Sequence, residues 1–264
     1  MDKKKKIIIV STITCVVLAA VIAILAFMWS KPINKFNRAV NEGKINQAVR
    51  IYNTSDNDEQ YDMSDSILDK IDECYDEFLN NNITYDEVVD FLKMVQHIEN
   101  EDVNEKITIV NSKLNTLYES KKSYSTAVNA YNDGDYAYAY KMYNKVIYED
   151  TYFEKASEGV KDSKKKYIEQ VLSNIESCKA EENYSKAVSQ IRDAIEVIGK
   201  STSLDEELET CKALLLTQEV ENIISEAETY ISAGNYVDSI RLLENKKEIY
   251  NDDKLISKLM EYCS

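Results

Sequence analysis

The chain has 264 residues, of which 44% are hydrophobic and 30% are charged, so it is long enough for one or two domains with a sizeable core. Its 5 glycines and 1 proline are too few for the many turns of a strand-rich fold, and the composition therefore favours helices. The formal net charge is −15 and no basic stripe offsets it, which argues against binding to nucleic acid.

The first thirty residues combine a basic tail, residues 1–6, with a long uncharged run, residues 7–29. As a helix rising about 1.5 Å per residue, this run would reach roughly 35 Å, enough to cross the hydrocarbon core of a bilayer. It is longer than the apolar core of a cleavable signal peptide, and it ends in bulky residues instead of small ones. We therefore expect an uncleaved transmembrane signal anchor at 7–29.

The charges around this segment bear on its orientation. Residues 1–29 sum to +3, so the rest of the chain carries −15 − 3 = −18. Basic residues also follow the span closely, which makes the positive-inside comparison nearly balanced. A short basic tail before a long acidic domain favours a single-pass cell-membrane protein, with its N-terminus inside and its C-terminal domain outside.

Apolar residues recur at helical spacing through most of the remaining chain. One stripe steps by four, three, four and three residues from Val103 to Leu117, and another continues over several turns from Leu204 to Tyr230. Polar segments interrupt the stripes at 53–66, 80–82, 132–135 and 199–203. These spacings predict an all-α fold.

A pattern of three residues recurs between the predicted helices. A glycine or polar residue is followed two positions later by an aromatic or aliphatic residue, and five positions later by a small one. The copies are Gly43, Ile45 and Ala48; Gly134, Tyr136 and Ala139; Glu182, Tyr184 and Ala187; and Gly234, Tyr236 and Ser239, with a degenerate copy at Ile83, Tyr85 and Val88.

This pattern has the chemistry of a helical hairpin. The first residue ends one helix where the backbone must leave the right-handed region. The second covers the corner and packs back on the hairpin, and the small residue lets the next helix approach closely. In the tyrosine-rich copy, Tyr136, Tyr140 and Tyr143 share one helix face and are core candidates, while Tyr138 points elsewhere.

The segment around Gly134 resembles the second half of a tetratricopeptide repeat, with Tyr136, Ala139, Tyr143 and Val146 in the matching places. The tryptophan, leucine and glycine of that family's first helix are missing. The copies are separated by 48 residues (134 to 182) and 52 residues (182 to 234), against a usual period of about 34. Lengthened first helices, or an extra helix per repeat, would supply the difference.

The resemblance implies an α-solenoid of stacked helical hairpins, with divergent repeats at 31–120 and tetratricopeptide-like repeats at 121–264. The first helices of such hairpins line a concave face that often holds an extended peptide. The family's register places nine residues on that face: Tyr124, Val128, Tyr131, Leu172, Glu176, Lys179, Ile224, Glu228 and Ile231. The alternative is that these residues pack against the surplus helical structure.

Residues with catalytic or metal-binding patterns are scarce. The motifs of phosphate-binding loops, dinucleotide sites, zinc peptidases and serine hydrolases do not occur. His97 is the one histidine, and we expect it on a helix surface or in the core. The cysteines have no metal-ligand spacing and are interpreted as buried small hydrophobes more readily than as disulfides: Cys15, Cys74, Cys178, Cys211 and Cys263. We expect no catalytic, cofactor or metal site.

Taken together, these features predict a membrane-anchored, non-catalytic scaffold or adaptor that binds a protein or peptide partner outside the membrane. Two alternatives stay open. A sensor or regulatory ectodomain would bind a small ligand or a cell-wall fragment and would need an enclosed apolar pocket. A structural spacer would only extend from the membrane.

Overall fold

The computed structural model describes Val21 and residues 31–263 of the chain. Within this part all regular secondary structure is helical, which confirms the predicted all-α class. Eleven helices follow one another in the described residues: α1 Pro32–Asn41, α2 Ile45–Thr54, α3 Asn57–Leu79, α4 Tyr85–Val95, α5 Glu101–Asn132, α6 Tyr136–Tyr143, α7 Phe153–Ala180, α8 Tyr184–Ile198, α9 Thr202–Ser232, α10 Tyr236–Tyr250 and α11 Asp253–Cys263.

The described helices include none that is both long enough and apolar enough to cross a membrane. The predicted anchor at 7–29 lies outside the described residues, apart from Val21.

The chain divides into two compact units. The first contains the described residues up to Lys122 together with Val146–Phe153, and the second contains Ser123–Lys145 and the described residues from Glu154 onward. The core of the first unit is built from the apolar stripes of α1 to α5, with Phe36, Met63 and Leu114 fully buried. The second unit has one core cluster around Ile175 and Ile191, and another around Leu243 and Leu255.

Five corners between helices share one backbone geometry. In each, a residue with positive φ donates its N–H to the carbonyl three residues earlier, and the next residue donates to the carbonyl five residues before it. This is the paired bonding of a Schellman motif, which satisfies the last carbonyls of the preceding helix. The positive-φ residues are Gly43, Asn81, Gly134, Glu182 and Gly234.

The structure places all four recurring triplets at these corners. It also shows why the degenerate copy looked irregular: the left-handed residue there is Asn81, two positions before Ile83, so the turn is longer by two residues. Thr84 then starts α4 with a capping box, accepting from the Glu87 N–H while the Glu87 carboxylate accepts from the Thr84 N–H.

The last residue of every triplet is fully buried. Ala48, Val88, Ala139, Ala187 and Ser239 each have 0% of their surface exposed. A small buried residue one turn into the second helix allows the two helices to approach closely. Ser239 adds a polar contact, because its Oγ donates to the Ala227 carbonyl at 3.0 Å.

The middle residue of the triplet behaves less uniformly than expected. Tyr136 does pack back on its hairpin, with its ring 5.3 Å from that of Tyr131 in an edge-on arrangement. Tyr236 instead is 60% exposed. Of the other tyrosines in this run, Tyr143 is buried and Tyr140 packs against the core around Ile175, whereas Tyr138 is exposed.

Long first helices account for the wide separation of the corners. Helices α5, α7 and α9 have 32, 28 and 31 residues, and no additional helix stands between Gly134 and Glu182 or between Glu182 and Gly234. Helix α9 is long enough to pack in two core clusters. Its first half, from Leu204 to Leu215, packs in the cluster around Ile175, and its second half, from Val220 to Ala227, packs in the cluster around Leu243.

These two stripes of α9 lie on different sides of the helix. At about 100° per residue, they are rotated by roughly 120° around the helix axis. A single continuous stripe from Leu204 to Tyr230 is therefore the wrong interpretation, since one helix serves two cores in succession.

Gly159 permits a close contact between α7 and the Tyr143 ring. It stands inside α7, and a Cβ built on it would lie 2.6 Å from ring atoms of Tyr143. An alanine would therefore overlap the tyrosine ring. Because glycine inside a helix costs about 1 kcal/mol relative to alanine, its presence here reflects the need for this contact.

We predict that Glu182→Gly raises the free energy of unfolding by about 0.5–1 kcal/mol, because glycine adopts the φ of 54° at this corner without strain. Urea denaturation measures the change. Glu181→Gly, one residue earlier and outside the positive-φ set, is the matched control and should lower stability. Equal effects of the two substitutions would contradict the role of the left-handed corner.

We also predict that the effect of Gly159→Ala on stability changes sign with the residue at position 143. In the wild-type chain it should destabilise by about 1–3 kcal/mol, because the added methyl group overlaps the Tyr143 ring. In a Tyr143→Leu background the same substitution should stabilise through helix propensity. Thermal unfolding of the four proteins gives the cycle, and additive effects would refute the proposed contact.

Candidate partner-binding face

The nine residues predicted to line a first-helix face fall on α5, α7 and α9. On α5, Tyr124, Val128 and Tyr131 are all half-buried. The Tyr124 ring meets that of Tyr143 with centroids 6.0 Å apart, and Tyr131 meets Tyr136. Both tyrosines therefore contribute to packing within the hairpin while leaving part of each ring accessible.

On α7 the three predicted residues have three different environments. Leu172 packs against the core around Ile175, and Glu176 is exposed. The Lys179 ammonium donates to Glu176 at 2.8 Å on its own helix and to Glu207 at 3.0 Å on α9. These hydrogen bonds raise the pKa of Lys179, with Glu176 as the larger cause.

On α9 the pattern is similar. Ile224 packs against the core around Leu243, and Ile231 is half-buried. Glu228 is exposed and binds the Lys258 ammonium of α11 at 2.9 Å. Hydrogen bonds from Lys258 raise the pKa of the lysine, with the bond to Glu228 as the largest cause and the bond to Glu261 as the second.

Consecutive first helices are thus joined by lysine–carboxylate pairs. Besides Lys179–Glu207 and Lys258–Glu228, Lys254 of α11 lies 3.4 Å from Glu221 of α9. The first unit contains a similar ion pair, in which Lys106 Nζ of α5 lies 2.6 Å from Asp72 Oδ2 of α3. The Lys254–Glu221 pair is exposed on both sides and adds little stability. The Lys179–Glu207 pair is half-buried.

Two open clefts lie beside such helices. One, of about 440 Å³, separates α1 from α3 in the first unit, and the other, of about 420 Å³, separates α9 from α11 in the second. Both have mixed polar and charged linings. The first is lined by Asn37, Val40, Asn41, Ser66, Ile67, Asp69, Lys70 and Glu73, and the second by Ile224, Asp253, Lys254, Ser257, Lys258 and Glu261.

The first unit contains a buried polar cluster that is not among the predicted sites. The Asp150 side chain has no exposed surface, and its Oδ2 accepts from Ser120 Oγ at 2.6 Å while its Oδ1 accepts from the Tyr152 N–H at 3.0 Å. Ser120 also accepts from the Ile147 N–H at 3.1 Å. Because these residues are about thirty positions apart in sequence, no local spacing pattern reveals them.

Lys121 completes this cluster. Its ammonium lies 3.7 Å from Asp150 and donates to the Leu79 carbonyl at 2.9 Å and to Asn81 at 2.7 Å. It also faces two aromatic rings, those of Phe78 and Tyr152, at 5.5 and 5.2 Å. Burial lowers the pKa of Lys121, and the nearby Asp150 opposes that shift.

The cysteines within the described residues are all free thiols, and they differ in exposure. Cys178 and Cys211 are buried, Cys74 is half-buried and Cys263 is exposed. Burial is the main cause that raises the pKa of Cys211 to about 11, and a hydrogen bond to Glu207 is the second cause. No group of three or more potential metal ligands is clustered in the part of the chain that the structure describes.

Comparisons with protein-family models, with curated proteins and with solved structures found no match to this chain.

The raised pKa of the Cys211 thiol predicts a loss of stability at alkaline pH. Because its pKa is about 11 in the folded chain and 9.0 is the ordinary value, the unfolded chain loses this proton first as pH rises. The stability it contributes is complete below pH 9.0 and is lost as pH rises through about 11. Guanidinium unfolding across this range should show a smaller decline for Cys211→Ala than for the wild type.

The exposed Cys263 provides the control for this experiment. Cys263→Ala should leave the decline unchanged, because it removes an exposed thiol and no buried side chain. Tyrosines with raised pKa, such as the buried Tyr143, also contribute to the decline but are common to all three proteins. An unchanged decline in Cys211→Ala would contradict the assignment.

Proposed function

We propose that this chain is a membrane-anchored, non-catalytic scaffold that binds a protein or peptide partner through the first helices of a tetratricopeptide-like α-solenoid. The observation that carries the proposal is the recurrence of one corner geometry, with a left-handed residue and a fully buried small residue, at Gly43, Gly134, Glu182 and Gly234. Repeated hairpins with equivalent corners are the building units of solenoids, whose function is to present extended binding surfaces.

The membrane part of the proposal is supported by the sequence. The uncharged run at 7–29 has the length of a bilayer-spanning helix, and a basic tail precedes it. We propose a short cytoplasmic tail at 1–6 and a helical domain outside the membrane, where its partner would be found.

The exposed carboxylates of the first helices are the part of this face best suited to selecting a partner. Glu176 and Glu228 lie at the surface, each beside a lysine that contacts a second carboxylate. Leu172 and Ile224 pack against core clusters, which supports for these two the alternative that stripe residues serve packing. The partner would therefore contact the charged edge and the accessible parts of Tyr124 and Tyr131.

We predict that Glu176→Arg combined with Glu228→Arg reduces partner binding by about tenfold or more, because complementary charges at an interface are replaced by like ones. Each affected lysine keeps a carboxylate, Glu207 for Lys179 and Glu261 for Lys258, so the fold should persist. Cross-linked capture with the full chain, followed by binding measurements on the purified partner, gives the result.

The matched control is Glu196→Arg combined with Glu244→Arg, which makes the same charge change at exposed positions of the second helices α8 and α10. It should leave binding within experimental error of the wild type. Equal loss in both double variants would refute the first-helix face, and the absence of any reproducibly captured protein would favour the spacer or the small-ligand sensor.

A further inference from the structure

The segment Val146–Phe153, called the connector here, links α6 to the first residue of α7, and several hydrogen bonds hold it in place. Its Asp150 is the buried carboxylate described above, and its Ile147 N–H donates to Ser120 Oγ. Thr151 Oγ1 donates to the Leu79 carbonyl at 3.4 Å, and the Phe153 N–H donates to the Asp150 carbonyl at 2.9 Å. Ile147, Asp150 and Thr151 of the connector are therefore each hydrogen-bonded to residues of α3 or α5 in the first unit.

This anchoring uses groups that are expensive to bury. Removing a carboxylate and an ammonium from water has a desolvation penalty that their attraction often fails to exceed, so a buried pair is weak as a source of stability. What the pair does provide is geometry. Asp150 and Lys121 together bind the connector, the α3–α4 corner at Asn81 and helix α5 in one arrangement.

The same connector displays the most exposed large hydrophobic side chain among the described residues. Tyr148 has 78% of its surface exposed, and its ring stands edge-on to Phe153 with centroids 5.3 Å apart. An aromatic side chain on an anchored loop has few torsions left to order on binding, so it can be buried by a partner at low entropic cost. Tyrosines buried at the centre of interfaces commonly dominate their binding energy.

The charges of the first unit indicate the chemistry of that partner. Its described residues, 31–122 and 146–153, contain 11 Lys and Arg and 21 Asp and Glu, so the net charge is 11 − 21 = −10. Glu149, which follows Tyr148, adds to the negative charge of this region. Burial raises the pKa of the Tyr75 phenol, and the charges of Glu149 and Asp76 raise it further. A basic surface complements this region.

We propose that Val146–Phe153 is a preorganised docking loop that inserts Tyr148 into an apolar pocket with a basic rim on a partner protein. Asp150 is a positioning residue that keeps the loop in its binding conformation. The proposal does not involve the carboxylates Glu176 and Glu228, so this site and the first-helix face can each fail without the other.

The test places a photo-cross-linking phenylalanine analogue at position 148 of the full chain, and in a matched protein at position 61. Tyr61 is the control because it is 72% exposed on helix α3. We expect one discrete adduct from position 148 and none of that mass from position 61. The cross-linked protein is then identified, purified and titrated against the wild-type chain.

In those titrations, Tyr148→Ala should weaken binding by about thirtyfold, the size of an interface hot spot, and Tyr61→Ala should have no effect. Binding should also weaken as salt is raised, because the rim of the pocket is basic. The absence of a discrete adduct at position 148 would overturn the proposal, and so would a purified partner whose affinity is unchanged by Tyr148→Ala.

Hydrogen exchange in the full chain tests the positioning role of Asp150 without a partner. In Asp150→Asn the amides of Ile147 and Tyr152 should exchange faster than in the wild type, while amides around the core residue Leu114 keep their protection. Ser120→Ala is the second variant and should affect Ile147 in the same way. Exchange of these two amides at the free-chain rate in the wild type would refute a preorganised loop.

Discussion

The left-handed residue at the corner is the constraint on which the rest of the described structure depends. One residue with positive φ reverses the chain in a few positions and lets its neighbours satisfy the last carbonyls of the preceding helix. The following helix then returns along the first, with a fully buried small side chain at Ala48, Ala139, Ala187 or Ser239. Glycine meets the backbone requirement without strain, while Glu182 and Asn81 meet it at some energetic cost.

Long helices extend this local rule into larger cores. A helix that only closed its own hairpin would need one apolar stripe, but α9 carries two on different sides and is therefore shared by two clusters. Gly159 shows how tightly a long helix is packed, since it removes one methyl group where α7 meets the Tyr143 ring. Lysine–carboxylate pairs also connect neighbouring long helices, as the half-buried Lys179–Glu207 pair does between α7 and α9.

Charge has two distinct uses in this acidic chain. At the surface, the exposed carboxylates Glu176 and Glu228 each contact a lysine, and we propose that they also face a partner of complementary charge. In the interior of the first unit, Asp150 and Lys121 bind the connector to α5 and to the corner at Asn81. Both proposals about partners follow from this division, one for a helix face and one for an anchored loop.

The sequence by itself determined the helical class and where the corners stand, because helix periodicity, glycine and small residues act within a few positions of each other. It also supplied the nine candidate residues on α5, α7 and α9 but not their environments, since the burial of Leu172 or the pairing of Glu228 depends on helices distant in sequence. Only the tertiary structure decided that α9 serves two cores and that Asp150 meets Ser120 and Lys121. Such contacts join residues about thirty positions apart, and nothing in local spacing encodes them.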